Sequence, residues 1–453
     1  MMLSAHFTRV LFFLALMAPF SAGALTLAQG WFMALDNDPH YRAAVKDQLA
    51  GQEYIPIGRA GLLPKISVSY QRAPRNWQRQ QYQQSNLLGE RSEVVQHQQY
   101  DSHSGSLTVV QPLFDYDAYA GYRIGIIKKL QSDERYRSSL IDLQNRFITA
   151  WLDVAEAHQR LELAALHRQG LQEQKKQTQR QFESGEGSIT DVTETASALS
   201  LAVADEIEAR DTLDTANVAL SAIVGMDLSD TSALPTLGEK PLKLPLASRD
   251  YQYWERKASS HNPDILSAGH SVEEKRYEIE RSRAGALPRI QLYAMHSEND
   301  SSNDNTINQK YRTDSIGMRV SMDLFSGGGV SASVRQAAAR YEQAKYLHDA
   351  QRLVTYSEIK KSLNKCLHAP ERIAAYASAV EAARRQVEAT QKSIQAGQRM
   401  NIDLLNAEQS FYKTKVELTA EKHAVIKAWV SLLAQTGEIN NDNVMLLNSY
   451  FAH

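Results

Sequence analysis

The sequence contains two copies of one pattern, and this repeat limits the possible folds more than any other feature. Gly-Leu-Leu-Pro-Lys-Ile at 61–66 resembles Gly-Ala-Leu-Pro-Arg-Ile at 285–290, an offset of 224 residues. Gly185 matches Gly397 at the smaller offset of 212 residues. Extra residues in the polar stretch 73–102 of the first copy explain the change of offset. Landmarks that keep their order around one insertion predict an internal tandem duplication.

The first 24 residues have the layout of a secretory signal peptide. Arg9 precedes an apolar run at 10–20, and small residues follow at 22–24. This order is typical of a leader that is removed on export. A signal anchor is the alternative, although the run is short for a membrane span. We predict a signal peptide at 1–24, repeat 1 at 25–236, repeat 2 at 237–437 and a C-terminal tail at 438–453.

Each copy has the same order of predicted elements, which are a helix, two strands and a long helical hairpin. A Gly-x-Leu-Pro sequence ends each first helix, because proline cannot continue a helix interior. In repeat 1 we expect a helix at 26–60, strands at about 62–72 and 103–111 around a polar loop, and a hairpin at about 117–224. In repeat 2 we expect a helix at 250–286, strands at about 289–297 and 312–325, and a hairpin at about 330–436.

The return strand of repeat 2 has the clearest alternation of side chains. Apolar residues at Ile316, Met318, Val320, Met322 and Leu324 alternate with Gly317, Arg319, Ser321 and Asp323. A period of two predicts a strand with one apolar and one polar face. A half-buried sheet of a water-soluble protein is the commoner source of this pattern. In an exported protein the pattern also fits a barrel strand between lipid and a wet lumen.

The helical stretches are too long for a compact globular core. Residues 117–182 contain no proline and are rich in good helix formers. At 1.5 Å per residue, such a helix reaches roughly 100 Å. It has to pack against similar neighbours, as in a coiled coil. Pro370 interrupts the corresponding helix of repeat 2, where we expect a kink.

Four strands per chain cannot close a transmembrane barrel, because about eight is the smallest number observed. Open sheet edges in lipid leave backbone groups unpaired, at several kcal/mol each. Several chains would therefore have to share one barrel. Two chains give a bore filled by side chains, whereas three chains give twelve strands and a water-filled lumen. A channel function favours the trimer.

Composition and motifs exclude several classes of function. The formal net charge of −2 argues against nucleic-acid binding through bulk positive charge. Cys366 is the single cysteine, so neither an intrachain disulfide nor a cysteine-based metal site is expected. No catalytic motif stands out from the sequence. We therefore expect neither an enzyme nor a cofactor or metal.

Five motifs, in order and across the mature chain, carry a resemblance to a known family. They are Leu-Leu-Pro-Lys-Ile at 62–66, Val-Val-Gln-Pro-Leu-Phe-Asp at 109–115, Gly-Glu-Gly-Ser-Ile-Thr-Asp-Val at 185–192, Leu-Phe-Ser-Gly-Gly at 324–328 and Ala-Gly-Gln-Arg-Met-Asn-Ile-Asp-Leu-Leu-Asn-Ala-Glu-Gln at 396–409. The chain resembles the TolC-type outer-membrane factors. The resemblance implies an α+β membrane protein, a homotrimer with a twelve-stranded transmembrane β-barrel in the Gram-negative outer membrane. A long α-helical coiled-coil tunnel would continue that barrel into the periplasm.

The same resemblance implies partners and a function. A periplasmic adaptor, or membrane fusion protein, would connect the channel to an inner-membrane pump. That pump would be an ABC exporter or a proton-driven transporter. The tip motifs look closest to members that serve type I secretion of adhesins, proteases or toxins. Multidrug or small-molecule efflux is the alternative, because efflux channels share this architecture.

By this resemblance, the two hairpin tips carry the functional residues. Arg399 would meet Asp191 in a latch that keeps the periplasmic aperture closed. A solvated charge pair of little energetic value is the alternative for these residues. Asp403 would form a ring of three carboxylates that favours cations, with Asn406 at the position of a second ring. Asp403 could equally be a first-turn acid that stabilises its helix. Gly185 and Gly397 would mark the adaptor docking sites.

Two further alternatives remain at this stage. One is a periplasmic coiled-coil scaffold with a small soluble sheet, in which the apolar face of 316–324 would cover a core instead of facing lipid. The other concerns five aromatic residues that flank the predicted strands, namely Trp77, Tyr82, Tyr100, Tyr293 and Tyr311. These residues could form an interfacial aromatic belt, or they could be ordinary loop residues.

Overall fold

The computed structural model describes residues 25–85, 87, 89–228, 235–238, 242–300 and 309–451. The predicted signal peptide lies outside these residues. The elements of repeat 1 are α1 (Leu27–Asn37), α2 (Pro39–Gln52), α3 (Tyr54–Ala60), β1 (Lys65–Ser85), β2 (Arg91–Phe114), α4 (Tyr116–Glu183) and α5 (Ile189–Val224). Those of repeat 2 are α6 (Tyr251–His261), α7 (Pro263–Arg283), a 3-10 turn (Ala284–Ala286), β3 (Arg289–Asp300), β4 (Lys310–Ser321), α8 (Gly329–Leu367), α9 (Ala369–Gln395) and α10 (Asn401–Thr436). The tail contains α11 (Asn441–Asn448).

The chain divides into two compact units. One consists of the residues up to Val45, Tyr136–Pro263 and the residues from Arg352 onward, and it contains both hairpin tips. The other consists of Lys46–Arg135 and Asp264–Gln351, and it contains the sheet. Among the described helices, none has an apolar stretch long enough to cross a bilayer.

The predicted single helices at 26–60 and 250–286 are broken, and the duplicated break has one physical cause. Asp38-Pro39 separates α1 from α2, and Asn262-Pro263 separates α6 from α7. Asp38 and Asn262 are extended, with ψ near 118°. A residue before proline is forced out of the helical region, and the proline then starts the next helix.

Where a kink was expected at Pro370, the structure has a break between two helices. α8 ends at Leu367, and α9 begins at Ala369 with Pro370 in its first turn. His368 between them has φ −90° and ψ −1° and donates its backbone N–H to Asn364 at 3.1 Å. The corresponding helix of repeat 1, α4, continues without a break for 68 residues. The two hairpins are therefore related by duplication but differ in this segment.

The strands of the first hairpin are much longer than predicted, and the expectation of a polar loop at 73–102 was wrong. β1 and β2 have 21 and 24 residues and pair out to Ser85 and Arg91. Polar residues occupy both faces of this extension, so it gives no hydrophobic alternation that a sequence pattern could reveal. In repeat 2, β4 ends at Ser321 rather than at 325. Gly327 and Gly328 follow with positive φ values of 61° and 81°.

The four strands form one antiparallel sheet in the order β1-β2-β3-β4. Residues that pair directly across an antiparallel sheet share a face. One face is apolar, and its large side chains are exposed: Ile66, Val68, Tyr70, Leu107, Leu292, Ile316, Met318 and Val320. Ile316 is 83% exposed. The expected alternation is present, but among the described residues no core covers this face, contrary to the scaffold alternative.

The opposite face of the sheet is polar. Ser69 and Ser106 pair across β1 and β2 with their hydroxyl oxygens 2.8 Å apart. Tyr293 lies on this face as well, opposite Gly317, where an added Cβ would come 2.8 Å from the tyrosine ring. We call the apolar side the outward face. Of the five aromatic residues considered for an interfacial belt, only Trp77 lies on this face.

The helical core repeats the duplication at the level of single side chains. Leu143, Phe147 and Trp151 on α4 are completely buried. The residues 212 positions later on α8, Thr355, Ile359 and Leu363, are also buried. The shared spacing of four residues places each set along one face of its helix.

Two glycines end the return helices in a left-handed conformation. Gly225 has φ 71° after α5, and Gly437 has φ 70° after α10. Each glycine lies against the break between the first helices of its repeat. Asn37 donates to the carbonyl of Val224 at 2.9 Å, and Asn262 donates to that of Gln435 at 2.8 Å. A Cβ on Gly437 would come 2.4 Å from the backbone oxygen of His261.

Gly437→Ala should therefore lower the thermal unfolding midpoint of the purified protein. Alanine in the left-handed region costs roughly 1–2 kcal/mol, and the clash with a backbone atom adds to that cost. Gly170→Ala is the matched control, because an added Cβ there meets no atom within 4 Å in the middle of α4. It should stabilise the helix by about 1 kcal/mol. Equal midpoints for the two variants, measured by circular dichroism, would contradict this account.

Candidate functional site

The turn between α4 and α5 is closed by backbone hydrogen bonds around Gly185. Its N–H donates to Phe182 at 3.0 Å, and that of Glu186 donates to Gln181 at 2.8 Å. Gly185 has φ 82°, and a Cβ there would meet nothing within 4 Å. Glycine is needed here for its backbone freedom, because other residues avoid a positive φ.

The turn between α9 and α10 repeats this construction. The N–H of Gly397 donates to Ile394 at 2.9 Å, and that of Gln398 donates to Ser393 at 2.9 Å. Gly397 has φ 73°. The two tips are thus copies of one loop, and differences between them reflect side chains rather than backbone.

Each return helix begins with an aspartate that caps it. The carboxylate of Asp191 accepts the backbone N–H of Ser188 at 3.2 Å, while the Ser188 hydroxyl accepts that of Thr190 at 3.0 Å. The carboxylate of Asp403 accepts the backbone N–H of Met400 at 3.3 Å. An acid in the first turn also interacts favourably with the helix dipole. The structure thus gives Asp403 a capping role, while the predicted carboxylate ring stays a prediction.

All five positions between the shared glycine and the shared aspartate differ between the tips, and the middle three carry the largest changes. Gly-Ser-Ile at 187–189 in the first becomes Arg-Met-Asn at 399–401 in the second. Two apolar side chains among these residues are exposed to solvent, Ile189 by 56% and Met400 by 73%. Apolar side chains at the end of a hairpin offer a contact surface for another protein.

The predicted latch is not closed within one chain. Arg399 is exposed, and the carboxylate of Asp191 is already used in its cap. Ion pairs among the described residues of the chain do not include Asp191 with Arg399. The latch therefore stays a prediction, as do the docking roles of Gly185 and Gly397. Asn406 is exposed on α10.

A side-chain amide that sequence analysis missed links the two hairpins. Asn401 donates to the hydroxyl of Thr195 on α5 at 2.9 Å and accepts from the amide of Gln174 on α4 at 2.9 Å. Thr195 is completely buried and donates to the backbone oxygen of Asp191 at 2.7 Å. One signal was available, because the first copy has apolar Ile189 at the position of this asparagine.

Below this link, apolar contacts continue the seam between the hairpins. Leu405 on α10 joins Leu171 of α4 and Ala202 of α5 in a small buried cluster. Two turns further along α10, the ring of Tyr412 stacks on His167, with 4.6 Å between centroids and 7° between planes. The first turns of α10 are therefore packed against hairpin 1 by one polar link and two apolar contacts.

A carboxyl group lies in the same seam. Glu408 follows Leu405 by three residues and precedes Tyr412 by four, so all three share one face of α10. Burial raises the pKa of Glu408 to about 7. A raised pKa in the folded state stabilises the packed seam at lower pH, and this stabilisation is lost as the pH rises through about 7.

Charged pairs reinforce the helices that surround this seam. Arg168 of α4 pairs with Glu206 of α5. Lys427 of α10 contacts Asp153 at 2.6 Å and Glu156 at 2.9 Å on α4. Within the ranges that the structure describes, no three His, Cys, Asp or Glu side chains are grouped so that they could hold a metal ion.

Comparisons with known proteins identify the family. The family model for outer membrane efflux protein matches residues 32–226 and 254–438. Alkaline protease secretion protein AprF of Pseudomonas aeruginosa is 40% identical over 430 residues, which cover 95% of this chain and 88% of that protein. Proteases secretion protein PrtF of Dickeya chrysanthemi is 36% identical, over 95% of this chain and 92% of that protein.

A solved structure supports the same fold. The outer membrane protein VceC of Vibrio cholerae aligns with a TM-score of 0.75 over 91% of this chain and 96% of that one, at 16% identity. At that identity the likeness concerns the fold alone. The family model covers both repeats, and two relatives exceed 30% identity over nearly the whole chain. The chain therefore belongs to the outer membrane efflux protein family.

Proposed function

We propose that this chain is the outer-membrane exit channel of a type I secretion machine that exports protein, with proteases as the favoured cargo. The observation that carries this proposal is the likeness to AprF and PrtF, whose names concern protease secretion. Both likenesses extend across 95% of the chain and thus include the helical hairpins and their tips. The channel itself needs no catalytic site, because an inner-membrane pump would supply the energy for export.

The sheet supports a shared barrel. Its outward face is apolar and exposed, and its first and last strands, β1 and β4, have one unpaired edge each in the chain. Lipid cannot satisfy the backbone groups of an open edge. Three chains with four strands each would pair all edges and leave a water-filled lumen. In this homotrimer the hairpins would form the periplasmic tunnel.

The exposed tips support docking to a partner. Ile189 and Met400 offer apolar contacts, and Gly185 and Gly397 leave the loop surface free of side chains. A periplasmic adaptor that binds here would connect the tunnel to an inner-membrane ABC exporter. Efflux of small molecules with a proton-driven pump is the second candidate, since the family is named for efflux and BepC of Brucella suis is 26% identical.

The seam at Asn401 supports a gate that opens through movement of hairpin 2 against hairpin 1. Opening would separate Asn401 from Gln174 and Thr195 and break the Leu405 cluster. We assign the latch between Arg399 and Asp191 to contacts that the trimer completes. Such contacts have modest energies, so adaptor binding can break them.

Deletion of the gene should abolish export of the cognate protease in the native host and leave drug susceptibility unchanged. Casein hydrolysis by the culture supernatant measures protease export, and minimal inhibitory concentrations measure drug susceptibility. Met400→Asp should also block export, because a charge at the exposed tip opposes apolar docking, while trimers still form. Unchanged protease export together with increased drug susceptibility would favour the efflux channel and contradict the proposal.

Arg399→Ser and Asn401→Ala should each raise the ion conductance of the closed channel in planar bilayers. The first variant removes the proposed latch. The second removes the hydrogen bonds that Asn401 makes with Gln174 and Thr195, at about 1 kcal/mol each, while Thr195 keeps its bond to Asp191. Gln409→Ala is the matched control, because Gln409 is exposed on the same helix and its loss should leave conductance unchanged. Wild-type conductance in both test variants would contradict this gate.

Asp403→Asn should reduce the preference for cations, because it removes three negative charges from the proposed ring. Asparagine retains a side-chain oxygen that can cap the helix, so the fold is preserved. Asp442→Asn changes an exposed first-turn acid of α11, outside the two tips, and should leave selectivity unaltered. The reversal potential in a salt gradient distinguishes the two. An equal shift in both variants would refute the assignment of the ring to Asp403.

A further inference from the structure

The hairpin of β1 and β2 continues far beyond the rest of the sheet. β3 and β4 have 12 residues each, and their pairing ends at Asp300 and Lys310. β2 pairs with β3 only as far as His103, whereas β1 and β2 remain paired out to Ser85 and Arg91. Residues 76–85 and 91–100 pair with no third strand among the described residues, and we call them the distal ribbon. At 3.3 Å per residue, each strand of this ribbon is about 30 Å long.

The register determines which side chains of the distal ribbon face outward. β2 pairs without irregularity here, so its residues alternate strictly and Gln99, His97 and Val95 share a face with Leu107. β1 contains a bulge between Ala73 and Asn76, which inserts one extra residue. The bulge shifts the alternation of β1, so Trp77 lies opposite Gln99 on the outward face.

Ionic side chains mark the level at which the apolar band of the outward face ends. Arg72 pairs with Asp101 at 3.1 Å. On the second hairpin the band ends at His296, which contacts Asp314 at 2.6 Å, and beyond it Glu298 contacts Lys310 at 2.9 Å. Charged groups at the limit of a lipid-facing band belong to the headgroup level. The outward face of the distal ribbon therefore begins where the polar part of the outer leaflet begins.

Beyond this level the outward face has an unusual composition. Trp77 is 79% exposed, with the amide of Gln99 directly across from it. Arg79 lies opposite His97, and both are exposed. The next pair is Gln81 with Val95. The face thus combines one large aromatic plane, several amides and a guanidinium, with little apolar surface.

These groups match a phosphorylated sugar. The flat face of an indole packs against the C–H groups of a pyranose ring. Amides donate and accept hydrogen bonds, as hydroxyl groups do. A guanidinium binds phosphate with two parallel hydrogen bonds.

We propose that the outward face of the distal ribbon binds the phosphorylated oligosaccharide of the glycolipid that forms the outer leaflet, which is lipopolysaccharide. Continuity with the lipid-facing band carries this inference. A glycolipid whose acyl chains lie against Ile316 and Ile66 places its sugars above them. The ribbon would then be held upright by the lipid layer, which stabilises a two-stranded segment that lacks a third strand.

Trp77 also provides the probe. All five tryptophans lie in the described part of the chain, and Trp31, Trp151, Trp254 and Trp429 are buried. Quenching by acrylamide in detergent therefore reports on Trp77. Addition of delipidated, phosphorylated core oligosaccharide should protect the emission, whereas dextran and inorganic phosphate should not. Unchanged quenching, or equal protection by dextran, would overturn the proposal.

Variants test the face assignment with intact lipopolysaccharide. Trp77→Ala and Arg79→Ala should lower the number of lipopolysaccharide molecules retained per trimer, measured by native mass spectrometry. Tyr82→Ala is the matched control, because Tyr82 lies on the opposite face of the same ribbon. Retained trimers confirm that each variant folds. Equal loss of lipopolysaccharide in the Tyr82 variant would contradict the proposal. Protection of Trp77 by added trimer without glycolipid would instead assign the surface to contacts between the ribbons of two trimers.

Discussion

The backbone N–H and C=O groups at the two edges of the sheet need hydrogen-bond partners, and this requirement determines the rest of the structure. A four-stranded sheet with an exposed apolar face is stable neither in water, where that face is uncovered, nor in lipid, where its edges are unpaired. Pairing with identical copies removes both difficulties at once. The long helices follow the same logic, since each extends well beyond any core that one chain could provide. The chain is thus understandable only as part of an assembly.

The two hairpin tips are similar because of the duplication, and a few substitutions between them underlie their proposed roles. Both tips use a glycine turn and a capping aspartate, at Gly185 and Asp191 or at Gly397 and Asp403. Hairpin 2 differs in carrying Arg399, Met400 and Asn401, and it is divided at His368. Asn401 links it to hairpin 1 through two hydrogen bonds. These differences are the basis of the proposed gate, in which hairpin 2 moves against hairpin 1.

The sequence predicted those features that depend on local pattern. The alternation around Ile316 gave the apolar face of the sheet, and the absence of proline gave the continuous α4. The distal ribbon was missed because both of its faces are mostly polar, and among the described residues its two strands pair with each other alone. The link through Asn401 depends on residues 206 and 227 positions away, which no local pattern encodes. The helix-stabilising role of Asp403 was foreseen as an alternative, whereas the cap made by Asp191 was not foreseen.

The most direct test of the shared barrel is the protein mass of the particle after extraction from the outer membrane in mild detergent. Light scattering with correction for bound detergent, or native mass spectrometry, measures the number of chains. The account predicts three chains per particle, with a mobility that changes on heating. A particle of one chain that stays dispersed after the detergent is removed would contradict it.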